Sequence, residues 1–539
     1  MKTSTSILKT MVAIILIAVL NVSSSAQDLP FAISVEPVNF PAFPGIQSFV
    51  AGHHDGKWVF IGGRTDGLHR RQPFAAFQPD GNNTTITLAD FDEKQIWQRS
   101  VDELPVNLRE QLQSTNMEFV QRDTVLYLVG GYGYSEELDE WITHPFLTAV
   151  NLPGLMEAIQ NGGPMAPHFR QMGDERMMVT GGQLGLLNNR FYLVGGQLFE
   201  GRYNPMGPQH GPGFLQEYTN AIRSFEVLDD GNDLAIQNYQ EIIDSLNLHR
   251  RDYNMAPQVF PDGTQGFTVF SGVFQFDVDL PWLNSVDVDE AGYSVNDSFQ
   301  QFLSNYHSAK LPVYSAVQNS MHTVFFGGIS RYYLDADGNL VDDPDVPFVK
   351  TISVVSRLAD GTMTESKIGE LEAYLGAGAE FLPVEDLPIY SGQGVVDLDN
   401  IGTGKQLAGY LVGGIESTQP NIFFINTGTE SQASTKVFKV FIEAAPTSVE
   451  IIDGEEFFGL EVAPNPVTEQ LTVSFGLPVA GQLSMSVVDV NGRIQLSESH
   501  DLSSGKFEMH LPVHTLSSGT YSLVLTSGKF QTARQFVKN

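Results

Sequence analysis

The feature that most constrains what this chain can fold into is an apolar run that ends in two glycines and keeps returning. It reads "WVFIGGRTDG" from Trp58, "LYLVGGYGYS" from Leu126, "FYLVGGQLFEG" from Phe191, "TVFFGGISRY" from Thr323 and "GYLVGGIEST" from Gly409, with a degenerate copy, "FTVFSGVFQF", from Phe267. The markers Gly62, Gly130, Gly195, Ser271, Gly327 and Gly413 are 68, 65, 76, 56 and 86 residues apart. One local signal used six times at that interval implies one supersecondary unit used six times, each a small sheet rather than a helix pair. The pair has a steric reason. A strand near a crowded axis must stop and turn, and glycine permits positive φ and close backbone approach where a Cβ would clash.

The rest of each unit predicts four strands. Before the markers stand "SFVAGHH" from Ser48 and "MEFVQ" from Met117. After them come pairs such as "AIRSFEVL" and "LAIQNYQEI" from Ala221 and Leu234, or "TISVVSRL" and "TMTESKI" from Thr351 and Thr362, with turn residues between. In the last unit "NIFFINTG" from Asn421 and "TKVFKVFI" from Thr435 are the expected outer pair, while "LPGLMEAIQNG" from Leu152 reads as a helix where the second unit needs an edge strand. "MMVTGGQLGLL" from Met177 lies too close to Gly195 to be its own sheet and is assigned to the inner strand of the third unit. "FAISVEPV" from Phe31 is a candidate outer strand for the last unit, which would bury an exposed edge.

In "FYLVGG" and "LYLVGG" the units resemble the kelch family of β-propellers, over about residues 46–443; the family's aromatic pair is matched only loosely, by Trp97 and Tyr239. The resemblance implies an all-β chain: a six-bladed kelch-like propeller over residues 27–445. It carries little about activity.

A charged, apolar and small-residue pattern precedes that region. Lys2 and Lys9 precede an apolar run over Met11–Leu20, and "NVSSSAQ" follows, so residues 1–26 read as a secretory signal peptide cleaved after Ala26. The run is about half of the roughly 20 residues a spanning helix needs, and no other stretch suffices, so the mature chain is expected to carry no transmembrane segment. Acidic residues number 63 against 30 basic, a formal charge of -33, which opposes binding to nucleic acid or anionic membrane. There is no cysteine, which removes disulfides, thiolate metal sites and cysteine nucleophiles.

Beyond residue 445 the character changes: a linker over 446–458, then short alternating strands that predict a small Ig-like β-sandwich over 459–539. "APNPVTEQLTVSF" from Ala463, "VVDVNGRIQ" from Val487, "LSSGTYSLVL" from Leu516 and the terminal "RQFVKN" resemble the C-terminal sorting domain of type IX secretion cargo in Gram-negative bacteria, with Pro464, Asn465, Pro466, Asp489, Gly492, Gly519 and Tyr521 on the pattern positions. This resemblance implies handling by the type IX secretion machinery and release or attachment at the cell surface. An ordinary carbohydrate-binding or adhesive sandwich is the alternative.

Long loops follow the glycine pairs, and on a ring they would converge on one face. "RTDGLHRRQP" from Arg64, "QLFEGRYNPMGPQHGPGFLQEYTN" from Gln197 and "ISRYYLDADGNLVDDPD" from Ile329 supply Arg64, His69, Arg71, Tyr203, His210, Arg331 and Tyr332; "HRRDYN" from His249 adds Arg251 and Tyr253. Guanidinium forks and tyrosine faces suit sugar hydroxyls and carboxylates. Arg251 has a structural alternative, an Arg–Asp pair fixing a strand entrance. "GHHDG" from Gly52 reads as a hairpin turn before a metal site, and Asp335, Asp337 and Asn339 as a solvated turn before a Ca²⁺ loop, so no cofactor or metal is expected.

A copper-radical oxidase of the galactose oxidase type needs a cysteine–tyrosine crosslink, which this chain cannot form. Gly-x-Ser-x-Gly, His-Glu-x-x-His and phosphate-loop motifs are missing, as are sialidase Asp boxes. The expected function is a secreted or surface-attached module binding glycans or surface proteins. The alternative is a carbohydrate epimerase, lyase or hydrolase using general acid–base chemistry.

Overall fold

The computed structural model describes residues 29–72, 74–205, 213–392, 394–445, 459–477, 481–489, 493–527 and 530–539. The signal-peptide expectation, the linker, His210 and Gly492 lie outside the described residues. The chain is all-β with many small sheets and divides into two compact units at Ala444/Ala445.

Unit 1 contains six antiparallel four-strand arrays. The first is Val50–His54, Lys57–Ile61, Thr85–Asp90 and Gln95–Ser100; the second Glu118–Arg122, Val125–Val129, Phe146–Asn151 and Phe169–Gly173. The third is Gln183–Leu187, Arg190–Val194, Ala221–Asp229 and Leu234–Ile243; the fourth Asn254–Val259, Gln265–Phe270, Ser285–Asp289 and Gly292–Asn296. The fifth, Ala309–Ser315, Ser320–Ile329, Phe348–Arg357 and Met363–Glu370, also takes up Val395–Asp397 and Ile389–Tyr390 beside its first strand. The sixth joins Tyr374–Pro383, Lys405–Ser417 and Val437–Ala444 to Phe31–Val38 from the start of the described chain, in register from Phe31↔Ala444 to Val38↔Val437.

That pairing corrects one strand. "NIFFINTG" forms a turn: Ile422 is buried, Phe424 is exposed, and the place expected for it at the sheet edge is held by Phe31–Val38. In the second array the expected helix, Leu152–Asn161, is present as an insertion, capped by the Asn151 side chain and by Gly162 at φ +76°, and the edge strand Phe169–Gly173 follows it.

The markers take the backbone the steric argument requires. Gly62, Gly130, Gly195, Ser271, Gly327 and Gly413 all have φ between +55° and +69°, and the residue after each is also left-handed. Position 130 shows why: a Cβ there would stand 1.9 Å from the carbonyl oxygen of Val179, which approaches to accept the Gly131 N–H at 3.0 Å. The equivalent bonds run from Gly63 to Ser114, Gly196 to Arg250, Gly272 to Asn305 and Gly414 to Ile46. Each therefore ties one array to the segment that enters the next, and the last ties the sixth array to the first.

A second set of backbone bonds lies at those entry segments. Ser48 N–H donates to Gly378, Gly378 to His307, His307 to Asp252, Asp252 to Gly181, Gly181 to Asn116 and Asn116 back to Ser48, at 2.7–3.3 Å. The six bonds use one residue per array and return to their starting point. Apolar clusters fill the spaces between neighbouring arrays, for example Val50, Ile61, Leu126, Leu152 and Leu155, or Tyr192, Val194, Tyr253, Val269 and Val286.

Unit 2 has two sheets. Glu461–Ala463, Gln470–Leu477 and Gly505–Pro512 form one; Ile494–Leu502, Gly481–Asp489, Gly519–Ser527 and Phe530–Lys538 form the other. Alternate residues of both, including Leu471, Val473, Phe475, Leu483, Met485, Leu523 and Leu525, make its core.

Candidate functional site

The closed set of backbone bonds encircles a cavity of about 950 Å³, lined by residues from all six arrays. The residue before each ring position faces it: Gln47, Thr115, Thr180, Arg251, Tyr306 and Ala377. Further along the first strands the lining includes Glu118, Met255, Lys310 and Glu380. The loops after the glycine pairs contribute Arg64, His69, Arg71, Tyr203 and Phe423.

Arg251 holds the centre of the polar side. Its Nε donates to the Tyr218 hydroxyl at 3.2 Å, Nη1 is bonded to the Asp252 carboxylate, and Nη2 has no partner among the described residues. The Arg–Asp pair foreseen at the strand entrance is thus present, and the same arginine also faces the cavity. Tyr203 and Tyr306 lie within electrostatic range of Arg251, Asp252 and Tyr218, and burial raises the pKa of both phenols against the opposing pull of Arg251, so they are hydrogen-bond donors at neutral pH.

Carboxyls of opposite character share the lining. Glu118 is buried; its Oε1 accepts Gly182 N–H at 2.7 Å, its Oε2 has no partner among the described residues, and burial pushes its pKa well up. Burial acts on Glu380 in the same sense, but Lys310 and His307 outweigh it and hold this carboxylate below its ordinary range; His307 Nε2 lies 3.0 Å from Glu380 Oε1. His69 is enclosed by the rings of Phe77, Tyr203 and Phe423, and burial lowers its pKa to about 4, so it is neutral at physiological pH.

Of the residues expected from sequence, Arg64, His69, Arg71, Tyr203 and Arg251 line the cavity. Arg64 engages its own loop, donating to Asp66, Asn82 and the Gln78 carbonyl, so it shapes the wall. Arg71 lies over the Phe424 ring at 4.8 Å. Three others stand elsewhere. Tyr253 is fully buried against Gly195 with its hydroxyl bonded to the Val194 carbonyl, Arg331 is bidentate to Asp342 at 2.7 Å, and Tyr332 packs edge-on against Phe302. Asp55 and Gly56 make the left-handed turn of the first hairpin, and the Asp335 carboxylate accepts Asp337 and Asn339 N–H groups of its own exposed turn. Tyr306, His307, Lys310, Glu118 and Glu380, all in the lining, escape motif reading. Their shared signal is positional: most lie within a few residues of a ring position or on a first strand.

In unit 2 the sorting-motif residues fasten the last strand and its neighbours. Asn465, between Pro464 and Pro466, accepts Val537 N–H at 2.8 Å and donates to the Gln535 carbonyl; Asp489 accepts Arg493 N–H; Gly519 opens a strand on which the Tyr521 hydroxyl donates back to Ser517.

Residues 461–539 match the secretion system C-terminal sorting domain family. The chain is therefore an all-β protein carrying a type IX sorting domain at its C-terminal end, and that domain marks it as secreted or attached at the cell surface. Among the described residues no helix is long and apolar enough to cross a membrane. No curated protein matches the sequence. Among solved structures, the chain is similar to that of the protein YjhT (10% identity, 73% of this chain and 99% of that one, TM-score 0.39). It is likewise similar to a copper-bound fungal alcohol oxidase of the AA5 family (10% identity, 94% and 99%, TM-score 0.36).

Proposed function

We propose that unit 1 is a closed six-bladed kelch-like propeller, delivered by its sorting domain to the cell exterior, and that it binds a glycan in its central cavity. The observation that carries this reading is the returning circle of six backbone hydrogen bonds, because Arg251, Tyr203 and Tyr306, which belong to three arrays, line the one cavity beside it. Tyrosine faces and guanidinium donors match the alternating CH faces and hydroxyls of a sugar. Exposed Phe74 and Phe424, each beneath an arginine, add apolar surface on the loops around it. A glycan array probed with the full chain tests the reading: array binding that Tyr203→Ala or Arg251→Ala abolishes without unfolding supports it, and binding indifferent to both removes the cavity as the site.

An enzyme reading rests on a separate observation, two carboxyls in one lining that their surroundings shift in opposite senses, Glu118 up by burial and Glu380 down beside Lys310 and His307. Two carboxyls whose pKa values are driven apart are what acid–base sugar chemistry uses. Turnover of a bound sugar followed by NMR, lost in Glu118→Gln and Glu380→Gln, would favour it over simple binding.

A further inference from the structure

We infer that the cavity contains a carboxylate subsite, formed by Arg251 Nη2 and the hydroxyls of Tyr203 and Tyr306, with Tyr218 holding Arg251 Nε behind it, which takes the acid group of a uronic-acid-type sugar. This rests on the glycan reading above for the sugar, but the donor arrangement stands independently of it.

Arg251, Tyr203 and Tyr306 are part-buried residues of one lining, and donors left without protein partners on a cavity wall are what an incoming acceptor meets. Arg251 has Nε and Nη1 engaged and Nη2 open. The Tyr218 hydroxyl accepts twice, from Arg251 Nε and from Phe274 N–H, each at 3.2 Å, which leaves its own proton to give. The hydroxyls of Tyr203 and Tyr306 have no partner among the described residues, and both belong to cavity-lining residues. Tyr306 is fixed next to Arg251 by the backbone: the residues following them, His307 and Asp252, are joined by a 2.8 Å hydrogen bond. The open donors of Arg251, Tyr203 and Tyr306 call for an oxyanion.

Charge selects which one. The single guanidinium already faces Asp252, whose other oxygen lies 3.4 Å from Asn116 Nδ2, and Asp279 stands exposed at the edge of the lining. A dianion such as a phosphate monoester meets more repulsion there than a monoanion does. A carboxylate also presents two coplanar oxygens, which the open Nη2 and the flanking hydroxyls can share.

The test is isothermal titration of the full chain with oligogalacturonate, neutral galacto- and gluco-oligosaccharides, glucose 6-phosphate, and the sugar-free carboxylate citrate. The expected result is uronate binding at least tenfold tighter than the neutral sugars, weakened about tenfold by Tyr306→Phe or Tyr203→Phe, as loss of a hydrogen bond to a charged group gives. These two variants remove one oxygen each, and unchanged tryptophan fluorescence confirms their folding. Arg251→Gln should weaken the uronate more than the neutral sugars and so abolish the preference for the acid. Equal binding of neutral and acidic sugars, or tighter binding of the phosphate, overturns the subsite and leaves the glycan reading standing. Citrate binding without any sugar binding does the reverse, and no binding at all overturns both.

Discussion

Replacing Gly130 with alanine isolates the contact that couples one sheet to the next. Two costs follow from the geometry. Holding a Cβ at φ +64° costs about 1–2 kcal/mol, the ordinary penalty for a left-handed non-glycine residue. The new methyl would also lie 1.9 Å from the Val179 oxygen and 2.9 Å from that of Met177, both backbone atoms of the segment entering the third array, and such overpacking adds about 1–3 kcal/mol. The expected destabilisation is therefore about 3–4 kcal/mol. Gly361→Ala is the control: at φ +84° with no neighbouring atom within 4 Å it carries the first cost alone, about 1 kcal/mol. Urea denaturation followed by tryptophan fluorescence reads the right unit, because Trp58, Trp97, Trp141 and Trp282 all lie in unit 1. Equal losses in the two variants would refute the reasoning, since the glycine pair would then serve local turning and not the join between sheets.

Titration of buried groups gives a pair of opposite predictions. His144 is fully buried with no hydrogen-bond partner on either ring nitrogen among the described residues, and burial lowers its pKa to about 4; the unfolded chain takes up its proton near 6.5, so the contribution is complete above that value and is lost as pH falls toward 4. His144→Leu should remove up to about 1.4 kcal/mol per pH unit of that slope, measured as urea stability at pH 7 and 5. Glu365, raised to about 8 by burial against the pull of the Phe302 and Leu303 N–H groups, acts in the other sense: its contribution is complete below about 4.5 and is lost as pH rises through 8. Glu365→Gln should flatten the decline between pH 5 and 8, and an unchanged profile would place that carboxyl in contact with water. Truncation after Ala445 should leave the chain folded but inside the cell envelope of a type IX-competent host, by immunoblot of medium and cell fractions; recovery from the medium would contradict the role of the sorting domain.

Much of this architecture is legible in the chain because glycine at a left-handed position against a backbone oxygen has no substitute, and that requirement recurs with each sheet. Even the degenerate copy keeps the conformation: Ser271 is held at φ +55° with its hydroxyl bonded to the Trp282 carbonyl. The strand Phe31–Val38 is visible as a β-rich segment, yet its partner 400 residues away follows only from where the sixth array ends. "NIFFINTG" misleads because its apolar residues pack around the cavity loops, where Asn426 holds the Leu68 and His69 carbonyls, and not on a sheet. The site is less legible still. Arg250 and Arg251 are neighbours of one type, but Arg250 is buried under Trp282 donating to Ser271, Asn284 and Asn247, and only its neighbour faces the cavity. Alternation at a strand entrance decides between them, and that register is set by the ring, which no single unit contains.

The closure itself is open to a direct chemical measurement, since the chain has no cysteine of its own. Ala32 and Glu443 are exposed and stand opposite each other where the first and last strands of the sixth array pair. The double variant Ala32→Cys/Glu443→Cys, oxidised at low protein concentration, should form one intramolecular disulfide, seen by mass spectrometry of the peptides, with unit 1 still folded. Free thiols, or only intermolecular crosslinks, would mean that the two ends of unit 1 do not meet and that its six sheets do not close around a common cavity.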